Sequence, residues 1–128
     1  MNVLIIDTSS WISYFKKGGN IIDIALKESR VYITPVIASE LLSGVSNKKD
    51  QVGLIDLFNE LPICGLTIDH WYKTGKLRAK LLQSGFTIST PDAHICQAVL
   101  DIDGYLLSED KIFHKIAPLI KLKLAKHN

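Results

Sequence analysis

Four carboxylates in the chain have types and surroundings that suit a shared chemistry: Asp7, Glu40, Asp92 and Asp110. Taken singly, three have ordinary explanations. Asp7 follows the apolar run Val3-Leu4-Ile5-Ile6 and suits a helix N-cap. Asp92 falls two residues into a helix that starts at Thr90, and Asp110 falls two after Ser108. An anion in a helix's first turn is favoured by the macrodipole, typically by about 0.3–1 kcal/mol. Glu40 has no such explanation. It lies mid-helix in Val36–Leu42, with Val36 and Ile37 at i−4 and i−3, on or beside a buried stripe. A carboxylate buried there needs a partner or a metal; at the stripe's edge it reaches solvent.

The combination says more than the members. In an open parallel sheet, ligands bind in the crevice outside the strands' carboxyl ends. Asp7 and Asp110 lie at or just beyond such ends, and Asp92 opens a helix that can face the same side. Two carboxylates at about 4 Å repel by on the order of 4 kcal/mol at an effective dielectric of about 20. A divalent cation removes that repulsion, and an all-oxygen donor set suits Mg²⁺ or Mn²⁺. Mg²⁺ keeps several waters and leaves room for a phosphate, so the chemistry expected is phosphodiester hydrolysis.

The elements that must position these groups read as short apolar runs alternating with amphipathic stretches, the pattern of βαβ units and a parallel sheet. Residues 3–6 form a buried first strand, followed by a helix over about 9–17 ended by Gly18-Gly19. A helix over 20–28 and a strand over 31–33 come next. Thr34-Pro35 gives an N-cap with proline in the first turn, opening the Glu40 helix to about Ser43. Further helices are expected over 48–60, 69–84 and, from a second Thr-Pro pair at Thr90-Pro91, to about Leu100. Residues 63–66 make a weak strand and 105–107 a buried one. Ser108 caps a helix over 109–117, residues 120–122 form an edge strand, and the basic tail 123–128 frays.

The bulk numbers narrow the classes. A chain of 128 residues suits a single domain with one core. Hydrophobic residues at 47% and charged residues at 22% are ordinary globular usage, which argues against disorder. A net charge of +2 and a pI near 8.5 permit an anionic partner without requiring one. Two cysteines, Cys64 and Cys96, make no disulfide framework, and no CxxC or HxxxH spacing supports zinc. The first apolar run stops at Asp7, far short of a membrane span, with no basic leader before it. A soluble, cytoplasmic protein without membrane contact is expected.

Four segments match a known pattern in order and spacing. LIIDTSSWISYF resembles the first motif of PIN domains, TPVIASELLSG the second, TPDAHICQAVL the third and GYLLSEDKIFHKIA the fourth. They span residues 3 to 117. The length and layout look like the VapC toxins of toxin–antitoxin pairs. That resemblance implies a three-layer α/β/α fold with a central, mostly parallel sheet. It implies an Mg²⁺-dependent endoribonuclease, with Mn²⁺ as a substitute, acting on RNA, commonly dimeric and restrained by a cognate antitoxin. Asp7 and Asp92 become the metal ligands, with Glu40 and Asp110 completing the acidic site and Thr8 and Ser108 as polar support. Ile112 stands where many relatives carry another aspartate, and Ser9 where asparagine is frequent. The missing acid implies that one ion is held more readily than two.

Other residues have plainer roles. His94, two residues past Asp92, points to another face of its helix and reads as surface. Cys96 reads as a buried thiol, since a hard cation does not recruit sulfur. Trp11 and Trp71 suit core or interface better than base stacking. The Lys73–Lys80 face and Lys16-Lys17 are candidate phosphate contacts, each equally explained as a solvated surface. Amphipathic helices before residue 60 can supply an apolar patch for a partner. Two competing functions remain open. A catalytically silent PIN module would bind RNA or protein without cleaving. A phosphoacceptor domain would need paired acids after its first strand and an aspartate on a middle strand, and neither is evident.

Overall fold

The computed structural model describes residues 2–126. Its elements run β1 (Leu4–Ile6), α1 (Thr8–Lys17), α2 (Asn20–Lys27), β2 (Val31–Tyr32), α3 (Pro35–Ser43), α4 (Lys48–Asn59), α5 (Ile68–Gln83), α6 (Thr90–Asp101), β3 (Tyr105–Leu107) and α7 (Lys111–Ile120). The α/β architecture expected from the sequence is present: helices surround a three-stranded parallel sheet in the order β2-β1-β3. Leu4 pairs with Val31 on one side and Tyr105 on the other, and Ile6 pairs with Leu107.

This order places the site. Leu4, Ile5 and Ile6 are buried on both faces, as a central parallel strand requires. The chain leaves β1 toward β2 on one side, then returns past β1 to β3 on the other. Crossovers of this kind are almost always right-handed, so the connections leaving β1 and β2 fall on opposite faces of the sheet. The crevice at their carboxyl ends is therefore a topological switch point, and Asp7 is the residue that follows β1.

The core gathers where these elements meet. Ile5, Ile6, Trp11, Ile37, Leu106 and Phe113 are fully enclosed or nearly so. Helix α6 is buried from Ala93 to Val99 and packs along α5. Trp11 packs edge-on against Phe58 of α4, so the burial of one side chain fixes α1, whose cap is Asp7, against α4.

Several boundaries differ from the sequence expectation, each for a local reason. Ser89 rather than Thr90 caps α6, its hydroxyl accepting from the Asp92 N–H. Asp110 rather than Ser108 caps α7, accepting from the Ile112 N–H. Helix α7 continues through Pro118 to Ile120 and stops at Lys121, which turns left-handed at φ 56°. The expected edge strand over 120–122 is thus absent; a single bridge joins Leu106 to Leu124 instead. The strand expected over 63–66 is likewise one bridge, Ile33 to Ile63. The start of the tail does not fray: the Leu106 N–H donates to Lys123 and the Ala125 N–H to Leu106. Residues 127–128 of that expected tail lie outside the described residues.

Candidate active site

Asp7 is the fixed point of the site. It is only 7% exposed, and its carboxylate accepts three hydrogen bonds. The Thr8 N–H donates to Oδ1 at 2.8 Å, which makes Asp7 the cap of α1. The Ser108 hydroxyl donates to Oδ2 at 2.8 Å and the Ser9 hydroxyl to the same oxygen at 3.3 Å. Three donors hold the carboxylate in one orientation. Ser108 also accepts from the Asp110 N–H at 3.0 Å, so one buried hydroxyl ties the first carboxylate to the backbone of the fourth.

Glu40 arrives from α3. Its Oε1 accepts from the Thr8 hydroxyl at 2.9 Å, across 32 residues of sequence. The side chain is exposed, not set into a buried stripe as its apolar neighbours suggest. Val36 is only half-buried, so the stripe is narrower than the sequence implies.

Asp92 feels the charge of the other three acids. It is half-buried in the first turn of α6. Burial lifts its carboxyl above the ordinary aspartate range, and a hydrogen bond to Ser89 partly opposes that lift. The charges of Asp110, Asp7 and Glu40 each raise it further. Three separate segments therefore bring Asp7, Glu40 and Asp110 within electrostatic reach of Asp92. Cys96, one turn beyond Asp92, is buried behind them; burial, then Asp92 and Asp7, push its thiol up to about 12. It stays protonated, as the sequence reading expected of a packing residue.

The donor set is all oxygen and its members repel, which fits a hard divalent cation. Among the described residues, no three acidic, histidine or cysteine side chains close on one point as a finished cage. Mg²⁺ fits such an open arrangement, because it commonly takes one or two carboxylates and keeps its remaining ligands as water.

Beside this site lies a polar network that the sequence reading missed. His94 is fully buried rather than on the surface. Its Nδ1 sits 2.6 Å from His70 Nε2, and His70 Nδ1 sits 2.6 Å from Asp101. Gln97 donates to the other oxygen of Asp101 at 2.8 Å. Trp71 stacks flat on the His94 ring at 4.5 Å and donates to the Gly65 carbonyl. Burial, and then His70, lower His94 to about 4, against a smaller opposing effect of Asp101. His94, Gln97 and Asp101 sit at i, i+3 and i+7, one polar line on α6; that spacing is the signal that was available.

The PIN domain family model matches residues 4–119. A VapC ribonuclease of Mycobacterium bovis is 27% identical over 131 residues, covering 96% of this chain and 98% of that protein. A ribonuclease of Mycobacterium tuberculosis, VapC11, matches to the same extent. Among solved structures, VapBC2 from Rickettsia felis, bound to a DNA fragment from its promoter, superposes with a TM-score of 0.77 at 19% identity, covering 98% of this chain and 99% of that one. VapBC-5 of Mycobacterium tuberculosis, a member of a family of toxin–antitoxin systems, superposes with a TM-score of 0.68 at 16% identity, covering 98% and 99%.

Proposed function

The chain belongs to the PIN domain family, and from that premise we propose that it is an Mg²⁺-dependent endoribonuclease, the toxin of a toxin–antitoxin pair. The observation that carries this reading is the triple electrostatic effect on Asp92 from Asp110, Asp7 and Glu40. An aspartate in a helix's first turn needs no such crowd of like charges, and their repulsion of Asp92 makes sense where a cation offsets it. Relatives named as VapC ribonucleases support the activity, and the VapBC structures support an antitoxin as partner.

In this reading Asp7 and Asp92 would hold the ion. A divalent cation supplies neutralisation of the phosphodiester charge and activation of water. The chain's own residues do the rest. Ser108, Ser9 and the Thr8 N–H keep Asp7 aimed. Thr8 restrains Glu40 through the hydroxyl bond, and Ser108 restrains the Asp110 backbone. Glu40 and Asp110 orient water around the reacting phosphate. Exposed Ile12 and Phe15 on α1, with Val52 and Ile55 on α4, offer apolar surface to an antitoxin or to a second copy in a homodimer. The expected setting is the cytoplasm, where RNA is at hand; no helix among the described residues is long and apolar enough to cross a membrane.

The test is direct. The purified chain is incubated with an end-labelled structured RNA in Mg²⁺, in Mn²⁺ and in chelator. Internal cleavage in either metal, lost in chelator and in Asp92→Asn, is expected. Folded protein that leaves the RNA intact in both metals refutes the enzyme reading and favours a silent binding module.

A further inference from the structure

A cleft of about 440 Å³ opens next to the carboxylates, between the end of α1, the start of α2 and the start of α7. Its lining includes Ser10, Ser13, Lys17, Asn20, Ser108 and His114. Ser108 is shared: it lines the cleft and donates to Asp7. The cleft and the acidic site thus have a common wall. We propose that this cleft binds the phosphodiester next to the scissile one on the same RNA strand, with Lys17 as its principal cation. The proposal rests on the ribonuclease reading above and gives that site a substrate-positioning arm.

Three independent features point to an anion there. First, α2 begins in the cleft without a side-chain cap, because its N-cap is Gly19. The first backbone N–H groups of that helix, at the positive end of its dipole, are free of a capping carboxylate or hydroxyl. Gly18 holds φ 70°, a conformation costly to other residues, and a Cβ built there meets nothing within 4 Å. The turn therefore keeps the approach to the helix open. Second, Ser10 is 2% exposed and lines the cleft, yet its hydroxyl has no hydrogen-bond partner among the described residues. A buried hydroxyl of this kind ordinarily finds a partner, and a ligand or its water in the cleft would supply one. Third, Lys17 and His114 bring cationic or proton-donating groups from two different helices to the same cavity.

The charge balance sets the kind of anion. Glu109 is also on the lining. Asp23, near the start of α2, is engaged by the Tyr14 hydroxyl. Lys17 and Glu109 leave the lining with little net side-chain charge, so Lys17 with the open helix N-terminus offsets about one negative charge. That suits a phosphodiester with a single negative charge better than a terminal phosphomonoester, which carries about 1.5 to 2 charges at pH 7. An internal linkage of a strand is favoured over a terminal phosphate.

The experiment pairs protein variants with RNAs carrying one neutral methylphosphonate at a chosen linkage. On unmodified RNA, Lys17→Ala should raise KM about tenfold, the loss expected for one good phosphate contact. Lys49→Ala, on the remote helix α4, should leave KM unchanged. A methylphosphonate at one linkage adjoining the cleavage point should raise the wild-type KM similarly, and Lys17→Ala should add no further loss on that RNA. Millimolar orthophosphate should not compete. The same pairs are measured as equilibrium binding, by fluorescence anisotropy, on Asp92→Asn protein, which needs no cleavage. Coupling between Lys17 and a single linkage in that assay supports the proposal even if no RNA is cut. Unchanged KM and binding in Lys17→Ala, equal additive losses at every linkage, or displacement by orthophosphate would overturn it.

Discussion

Asp7 and Asp92 should respond in opposite ways to the same substitution. Asparagine removes the charge of either and keeps its shape. At Asp7 it also removes an acceptor: three donors converge on the two carboxylate oxygens, from Thr8 N–H at 2.8 Å, Ser108 at 2.8 Å and Ser9 at 3.3 Å. One amide oxygen cannot serve both sides, so the Asn NH₂ group faces donors. Hydrogen bonds to charged groups contribute about 1.5–3 kcal/mol each. Rotation of the two serine hydroxyls recovers part of this, which leaves a loss of about 2 kcal/mol for Asp7→Asn. For a domain of this size that lowers Tm by roughly 6–10 °C. At Asp92 the sign reverses. Its raised pKa means that the folded protein holds the proton more tightly than the unfolded chain. Stability therefore falls as pH rises from the unfolded aspartate value through the folded one. Asp92→Asn escapes that loss, so at pH 7 without divalent metal its Tm should exceed the wild type's. Both variants should lose RNA cleavage. Differential scanning calorimetry with and without 5–10 mM Mg²⁺, a range of roughly the usual assay strength, reads all of this. The reasoning fails if Asp92→Asn lowers Tm as far as Asp7→Asn does. It also fails if Mg²⁺ raises the Tm of Asp92→Asn as much as that of the wild type.

The histidine network gives two further outcomes. His94 is lowered from 6.5 to about 4 by burial and then by His70, so the unfolded chain takes up a proton first as pH drops. Stability should fall as pH is lowered from 6.5 toward 4, by at most about 3 kcal/mol. Urea titrations at pH 7 and pH 4.5 measure the loss, and His94→Gln should flatten it; an unchanged slope would count against the assignment. Gly65→Ala should destabilise by about 2–4 kcal/mol, since it combines left-handed strain with overpacking. Gly65 holds φ 81°, and a Cβ there falls 2.6 Å from His94 Cε1. A Tm within a degree or two of the wild type would show that the ring can move aside.

What the sequence made visible followed local rules. The apolar run before Asp7 gave the buried strand, observed over Leu4–Ile6, and Asp7 the cap of the helix that follows. Thr34 with Pro35 gave the start of α3 to the residue, because a cap and a proline in the first turn agree. The same pattern misled by one residue at α6, where Ser89 and Thr90 are both competent caps and Pro91 tolerates either. Ser108 and Asp110 posed the same ambiguity before α7, and the structure uses both, one for the loop and one for the helix. Non-local facts were out of reach. The bridges at Ile63 and Leu124 depend on strands distant in sequence. The burial of His94 depends on α5, which brings His70 and Trp71 over it. The convergence of the four acids was visible only as an expectation about sheet edges. The Thr8–Glu40 bond ties the first two acid-bearing segments together, and the charges of the other three acids act on Asp92.

The central claim is that Asp7, Glu40, Asp92 and Asp110 form one divalent-cation site. Calorimetric titration of Mn²⁺ into the wild type, Asp7→Asn and Asp92→Asn tests it most directly, because it depends on no substrate. One ion per chain is expected in the wild type, since Ile112 occupies the place of a possible fifth acid, with binding lost in each variant. Equal Mn²⁺ affinity in all three proteins would contradict it.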